Sequence, residues 1–133
     1  MEIQKINHQT NRKNTLKLVA LLLFLGNVFS LQAQKKPFYN EEEEVIEAAY
    51  LHLEKSAKEG AIKTWAENNN PEGSYTMEIT IRNKGEVATI RPVERENGDI
   101  PTQNALKNFM KVYRFPFKMP KERSFQFQYE FKF

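Results

Sequence analysis

The chain has 133 residues, enough for one small domain, and 40% of them are hydrophobic against 28% charged. It contains no cysteine, so disulfides, thiol nucleophiles and thiolate metal ligands are excluded and packing alone must hold the fold. The formal net charge is +3, but residues 1–33 carry four basic residues and one acidic residue, which leaves 16 of each sign in residues 34–133. The basic balance therefore gives no indication of nucleic-acid binding, and we expect no nucleic-acid partner.

The first thirty residues have the pattern of an export signal. Their basic residues are Lys5, Arg12, Lys13 and Lys17. An uncharged apolar run follows over residues 18–29, which is shorter than the ~20 residues that a transmembrane helix needs. We predict a signal peptide over residues 1–33, cleaved after Ala33, and a periplasmic or secreted mature chain without a stable membrane span. The alternative interpretation is that residues 16–33 are an anchor that is not cleaved.

Residues 34–70 are predicted to form an N-terminal helical segment. Asn40 and Glu43 have the spacing of a capping box, so a helix is expected from about Glu41 to Glu59. The apolar positions at helical spacing are Ile46, Tyr50, Leu53 and Ala57. Gly60 is expected to end or interrupt this helix, and residues 61–66 are expected to add a further turn or two.

The period of the apolar residues changes from 3.6 to 2 in the predicted domain over residues 71–133. The residues from Tyr75 to Ile81 alternate between apolar and polar, which predicts a half-buried strand. Asn83 to Gly85 predicts a turn, and residues 86–93 predict a returning strand. Because Pro92 has no N–H to donate, this second strand is expected at an edge of the sheet, or Pro92 near its end.

A charged loop is predicted over residues 94–99, followed by a helix from about Thr102 to Tyr113 that starts next to Pro101. The apolar residues expected on this helix are Ala105, Leu106, Phe109, Met110 and Val112. The last nine residues, 125–133, place five aromatic side chains on one face of a strand and polar side chains on the other. The predicted fold class is therefore α+β: a small antiparallel three-stranded sheet with helices packed on one face, preceded by an N-terminal helix.

The mature chain offers little that could carry catalysis. Its single histidine, His52, is expected to be a surface or boundary residue of the first helix. The carboxylates of Glu94 and Glu96 lie in the predicted charged loop, where nothing apolar would perturb their pKa. The run Glu41–Glu44 is expected to be a solvated first turn, and Trp65 a packing residue. We therefore predict no catalytic, cofactor-binding or metal-binding residues and a protein that is not an enzyme.

The C-terminal half resembles the TonB C-terminal domain over about residues 73–133. The likeness rests on the glycine-led alternating strand from Gly73 to Ile81, the turn glycine Gly85 with Val87 two positions later, the segment from Tyr113 to Phe117, and the apolar strand from Phe125. The resemblance implies a periplasmic module that binds a protein of the cell envelope without catalysis, by adding an extended segment to a strand edge. The partners it implies are an outer-membrane protein and a second copy of the chain joined through an edge strand.

Two features depart from the energy-transducing members of that family. The chain has no long proline-rich spacer, and its N-terminal apolar segment has the pattern of a cleaved signal. A small structural or stress-related periplasmic protein without a defined partner is one alternative. A membrane-anchored energy transducer is the other, if residues 16–33 are retained.

Overall fold

A computed structural model describes residues 35–133, and the predicted signal peptide lies outside these residues. Residues Lys36–Phe133 form one compact unit that contains the whole buried core of the described chain. In chain order the elements are the helices α1 (Glu42–Glu59) and α2 (Ala61–Asn69), the strands β1 (Ser74–Arg82) and β2 (Glu86–Glu96), the helix α3 (Ile100–Lys111) and the strand β3 (Ser124–Lys132).

The three strands form one antiparallel sheet in the order β2-β1-β3, which confirms the predicted α+β class. β1 and β2 form a hairpin, and β3 joins the other side of β1. The register between β1 and β3 is unbroken over nine pairs, from Ser74 opposite Lys132 to Arg82 opposite Ser124. β1 is therefore the central strand, and both later strands are edges.

One face of the sheet carries the core. The alternation of β1 is confirmed, since Tyr75, Met77, Ile79 and Ile81 are all fully buried. On β3, Phe125, Phe127 and Phe131 are buried and Tyr129 is half-buried, and Phe133, the residue after β3, is partly exposed. The opposite face of β1 and β3 is polar, so the helices cover a single face, as a two-layer α+β unit requires.

The face that α1 turns to the core differs from the predicted one by about one residue. Its buried residues are Val45, Ala49, Leu53 and Ser56. Tyr50 and Ala57 are instead exposed. The predicted capping box is wrong: Glu41 is the N-cap residue without a side-chain cap bond, and Asn40 donates to the Glu41 carboxylate instead. Gly60 does separate α1 from α2, and α2 is longer than the predicted turn or two.

The second half departs from prediction at element ends. β2 continues through Glu96, so Glu94 and Glu96 lie on a strand and not in a loop. α3 begins at Ile100 because Asp99 caps it, accepting the Thr102 N–H at 2.7 Å. Val112 follows the last turn of α3 and is 78% exposed, so its predicted place on the apolar face is wrong.

The turn between β1 and β2 depends on Gly85, whose φ of +77° is a conformation that favours glycine. A Cβ atom at this position would collide with the carbonyl oxygen of Phe115. That close approach is used in the fold, because Phe115 N–H donates to the Gly85 carbonyl oxygen at 2.9 Å. The hairpin turn is thereby attached to the segment that leads from α3 to β3.

Candidate functional site

The outer edge of β3 presents a row of backbone donors and acceptors. The Phe133 N–H donates to Gly73 O at 3.0 Å. This bond determines which residues of β3 direct their backbone N–H and C=O groups toward β1. Backbone groups alternate in direction along an antiparallel strand, so the odd-numbered residues of β3 bond to β1. The N–H and C=O groups that point away from the sheet are those of Ser124, Gln126, Gln128, Glu130 and Lys132.

The outer edge of β2 differs from that of β3 in three ways. Pro92 lies opposite Met77, and by the same alternation its nitrogen faces outward, where it cannot donate. Two breaks in register leave Ala88 and Val93 without a partner on β1, so β2 carries two bulges. Proline and bulges are devices that discourage edge pairing, whereas β3 has neither. The position predicted for Pro92, in an edge strand, is confirmed.

The middle of the β3 edge is partly covered by α1. The Tyr50 hydroxyl donates to the outward carbonyl oxygen of Gln128. Its ring packs against the rings of Phe127 and Tyr129 at centroid distances of 5.6 and 5.5 Å. One of the five outward carbonyls is therefore already bonded. Tyr50 appeared in the sequence only as a member of a helical apolar pattern, and nothing there indicated this contact.

Polar side chains surround the edge on the solvent face of the sheet. Gln126 and Gln128 are exposed, and Lys132 Nζ lies 3.3 Å from a carboxylate oxygen of Glu130. Because that pair is exposed to solvent, it contributes little to stability. The side chains along this edge are therefore polar, and they carry no excess of one charge that would repel an incoming strand.

His52 lies at the boundary of the core. Its Nε2 is 2.8 Å from the hydroxyl oxygen of Tyr113, and its ring packs on those of Tyr113 and Phe115 at 5.7 Å. Burial, followed by the nearby Lys55 ammonium, lowers the pKa of His52 below its ordinary value. Burial raises the pKa of Tyr113. This is the arrangement of a neutral, hydrogen-bonded boundary histidine.

Of the other residues considered in the sequence, the structure brings Glu94 and Glu96 together in one pocket. Trp65 is half-buried between Phe109 and Phe133, with both ring centroids 5.7 Å away. Glu94 and Glu96 line a shallow pocket of about 240 Å³ on the polar face of the sheet, with Glu130. Glu41–Glu44 are exposed at the start of α1. Within residues 35–133 no group of three or more histidine or carboxylate side chains is arranged to hold a metal ion.

No helix of the described part of the chain is long and apolar enough to cross a membrane. Comparisons of the sequence with protein-family models and curated proteins, and of the structure with solved structures, gave no match.

Proposed function

We propose that this chain is an exported, non-catalytic protein-interaction module of the cell envelope, which binds an extended segment along the outer edge of β3. The resemblance of residues 73–133 to the TonB C-terminal domain supports the class of function. The observation that carries the mechanism is the regular outer edge of β3, with its five outward backbone positions, beside a β2 edge interrupted by Pro92 and two bulges. Backbone pairing gives such an edge affinity for any extended segment of suitable shape.

A second copy of the chain is a partner that this edge fits. Two β3 strands paired antiparallel about Gln128 would place Gln126 opposite Glu130 and Ser124 opposite Lys132. Like charges would not lie directly opposite each other in that register, which removes one common obstacle to edge pairing. An extended segment of an outer-membrane protein would use the same backbone groups.

The Tyr50 hydroxyl competes with this pairing. An incoming strand that uses the Gln128 carbonyl must replace the bond from the Tyr50 hydroxyl, which is worth roughly 1 kcal/mol net. Tyr50→Phe removes the competing donor and keeps the ring. The substitution should therefore tighten partner binding about fivefold if the edge is the binding surface, since 1.4 kcal/mol corresponds to a factor of ten.

Proline at Gln128 tests the edge directly. Gln128 N–H points outward, so Gln128→Pro removes an outward donor while leaving the bonds between β3 and β1 in place. Gln128→Ala changes the side chain alone and is the matched control. The unsubstituted mature chain, Gln128→Pro and Gln128→Ala are compared. Self-association is measured by sedimentation velocity, and capture of envelope partners is measured by crosslinking pull-down.

The expected result is that Gln128→Pro loses self-association or partner capture, whereas Gln128→Ala retains it. Circular dichroism must show a folded proline variant, and Gln126→Pro provides a second outward position if it does not. If a folded proline variant captures the same partners, edge pairing is the wrong mechanism and the interaction surface lies on the helices.

A further inference from the structure

One end of the unit concentrates basic side chains around an exposed aromatic ring. We call it the lysine end and define it as Lys36, Phe38, Lys84, Lys118 and Lys121. Its centre is a groove of about 850 Å³ between Phe38, the tip of the β1–β2 hairpin and residues 118–121. The groove lies at the turn end of the β1–β2 hairpin, next to the pair Arg82–Glu86. The outward Gln128 carbonyl lies elsewhere, near the middle of β3.

Three backbone bonds build the lysine end from distant parts of the chain. Tyr39 N–H donates to Lys118 O at 2.9 Å, and Lys118 N–H donates to Pro37 O at 2.8 Å. Met119 N–H donates to Asn83 O at 2.9 Å. The residues that lead into the domain therefore form a short parallel pairing with the segment before β3, and the hairpin tip is attached beside it.

The lysines of this end are not neutralised by the protein. None of these four lysines takes part in an ion pair within residues 35–133. Glu86, the single carboxylate that lines the groove, is 3.1 Å from Arg114 and 3.7 Å from Arg82, so its charge is already shared. The glutamates at the start of α1 do not line the groove. Although the mature chain has equal numbers of acidic and basic residues, this end is positively charged.

Phe38 adds an apolar component to the charge. Its side chain is 60% exposed, although its backbone is held by the pairing with Lys118. An exposed aromatic ring on a backbone held among lysines is the composition of a surface that meets lipid headgroups, where aromatic rings and basic side chains are both favoured.

The lysine end lies close in sequence to the predicted export segment. The apolar run of the export segment ends at about Phe29, six residues before Lys35. Six residues can span at most about 20 Å when fully extended. While that run occupies a membrane, as an uncleaved signal or as an anchor, Lys35, the residue before Lys36 of the lysine end, stays within that distance of the end of the run.

We propose that the lysine end is a membrane-contact surface, which binds anionic lipid headgroups through its lysines with Phe38 inserted at headgroup level. This contact orients the domain with the chain's entry point towards the bilayer. It does not use the outward backbone groups of β3, so it is independent of the edge pairing proposed above.

The test uses the chain from Gln34 onward, which contains the complete compact unit. Its binding is measured by co-sedimentation with vesicles of phosphatidylcholine alone and of phosphatidylcholine with 30% phosphatidylglycerol. Lys84, Lys118 and Lys121 are replaced together by glutamine. The matched control replaces Lys55, Lys58 and Lys63, which removes the same charge; Lys58 lies about 24 Å along α1 from its first residue.

We expect the unsubstituted chain to bind the anionic vesicles at low salt and to be released at 0.5 M salt. Each lysine near an anionic surface contributes about a fivefold factor in affinity, so the first triple variant should lose about 100-fold and the control triple much less. Phe38→Ser should weaken binding further without unfolding the protein, because the ring is mostly exposed.

Failure of the unsubstituted chain to bind anionic vesicles at low salt would overturn the proposal, and so would equal losses in the two triples. Retention on a soluble polyanion column without vesicle binding would also overturn it, by assigning the lysine end to a soluble acidic partner. Circular dichroism of each variant identifies losses that come from unfolding, and a folded Phe38→Ser with unchanged binding would exclude the aromatic contribution.

Discussion

Phe127→Ala tests whether the aromatic face of β3 is core. Phe127 is 6% exposed and packs against Tyr50 and Phe115, with ring centroids 5.6 and 6.4 Å away. Truncation removes the buried ring and leaves a cavity beneath α1, and such changes lower the free energy of unfolding by about 3–5 kcal/mol. A domain of this size has a total stability of roughly 5–15 kcal/mol, so the variant should remain folded but melt much earlier.

Urea unfolding followed by tryptophan fluorescence measures this loss. Trp65 is the single tryptophan of the chain and is half-buried between Phe109 of α3 and Phe133, so its emission reports on the packing of α2 against α3 and the residue after β3. Val112→Ala is the control, because Val112 is 78% exposed and surface changes alter the free energy of unfolding by about 0.5 kcal/mol or less. A loss below about 1 kcal/mol for Phe127→Ala would refute the core assignment and make this face a partner surface.

Three further predictions concern the turn, the histidine and the predicted export signal. Gly85→Ala should destabilise the protein by about 2 kcal/mol or more in thermal or urea unfolding, from positive φ and the collision with Phe115 O; unchanged stability would refute the turn geometry. Because the pKa of His52 is lower in the folded protein, its contribution to stability is complete above about pH 6.5 and is lost as the pH falls below that value. Unfolding curves at pH 7.5 and 5 should therefore differ less for His52→Gln than for the unsubstituted chain, and an equal difference would contradict this assignment. N-terminal sequencing of the protein from cells should begin near Gln34 in the soluble periplasmic fraction, and an intact Met1 in the inner membrane would favour the anchored energy transducer.

Much of the fold could be predicted because β1 and β3 alternate with a period of two and because one face of each is buried. The prediction failed where local pattern and tertiary environment disagree. Residues 94–96 of β2 are charged and suggested a loop, yet an edge strand with a solvated face accepts such side chains. Tyr50 matches a core-facing pattern, but the position of β3 places it at the rim of the sheet.

The candidate surfaces were less predictable than the fold. The identity of an edge depends on the strand order, which no periodicity specifies, although Pro92 correctly indicated one edge strand. The lysine end depends on a pairing between Phe38 and Lys118, residues 80 positions apart. Each lysine is unremarkable in the sequence, and their common location becomes visible only after the backbone bonds are known.

The strand order also has a consequence for the order in which the strands can pair during synthesis. β2 follows β1 after a three-residue turn, so the hairpin can close as soon as both strands exist, but β3 begins 42 residues after β1 ends. At synthesis rates of about 5–20 residues per second, the completed β1 waits roughly 2–8 s for its second neighbour. During that interval the edge of β1 that later pairs with β3 is uncovered. A chain that folds while it is being synthesised would be exposed to misassembly in this interval, and a chaperone that shields β1 would act in this time window.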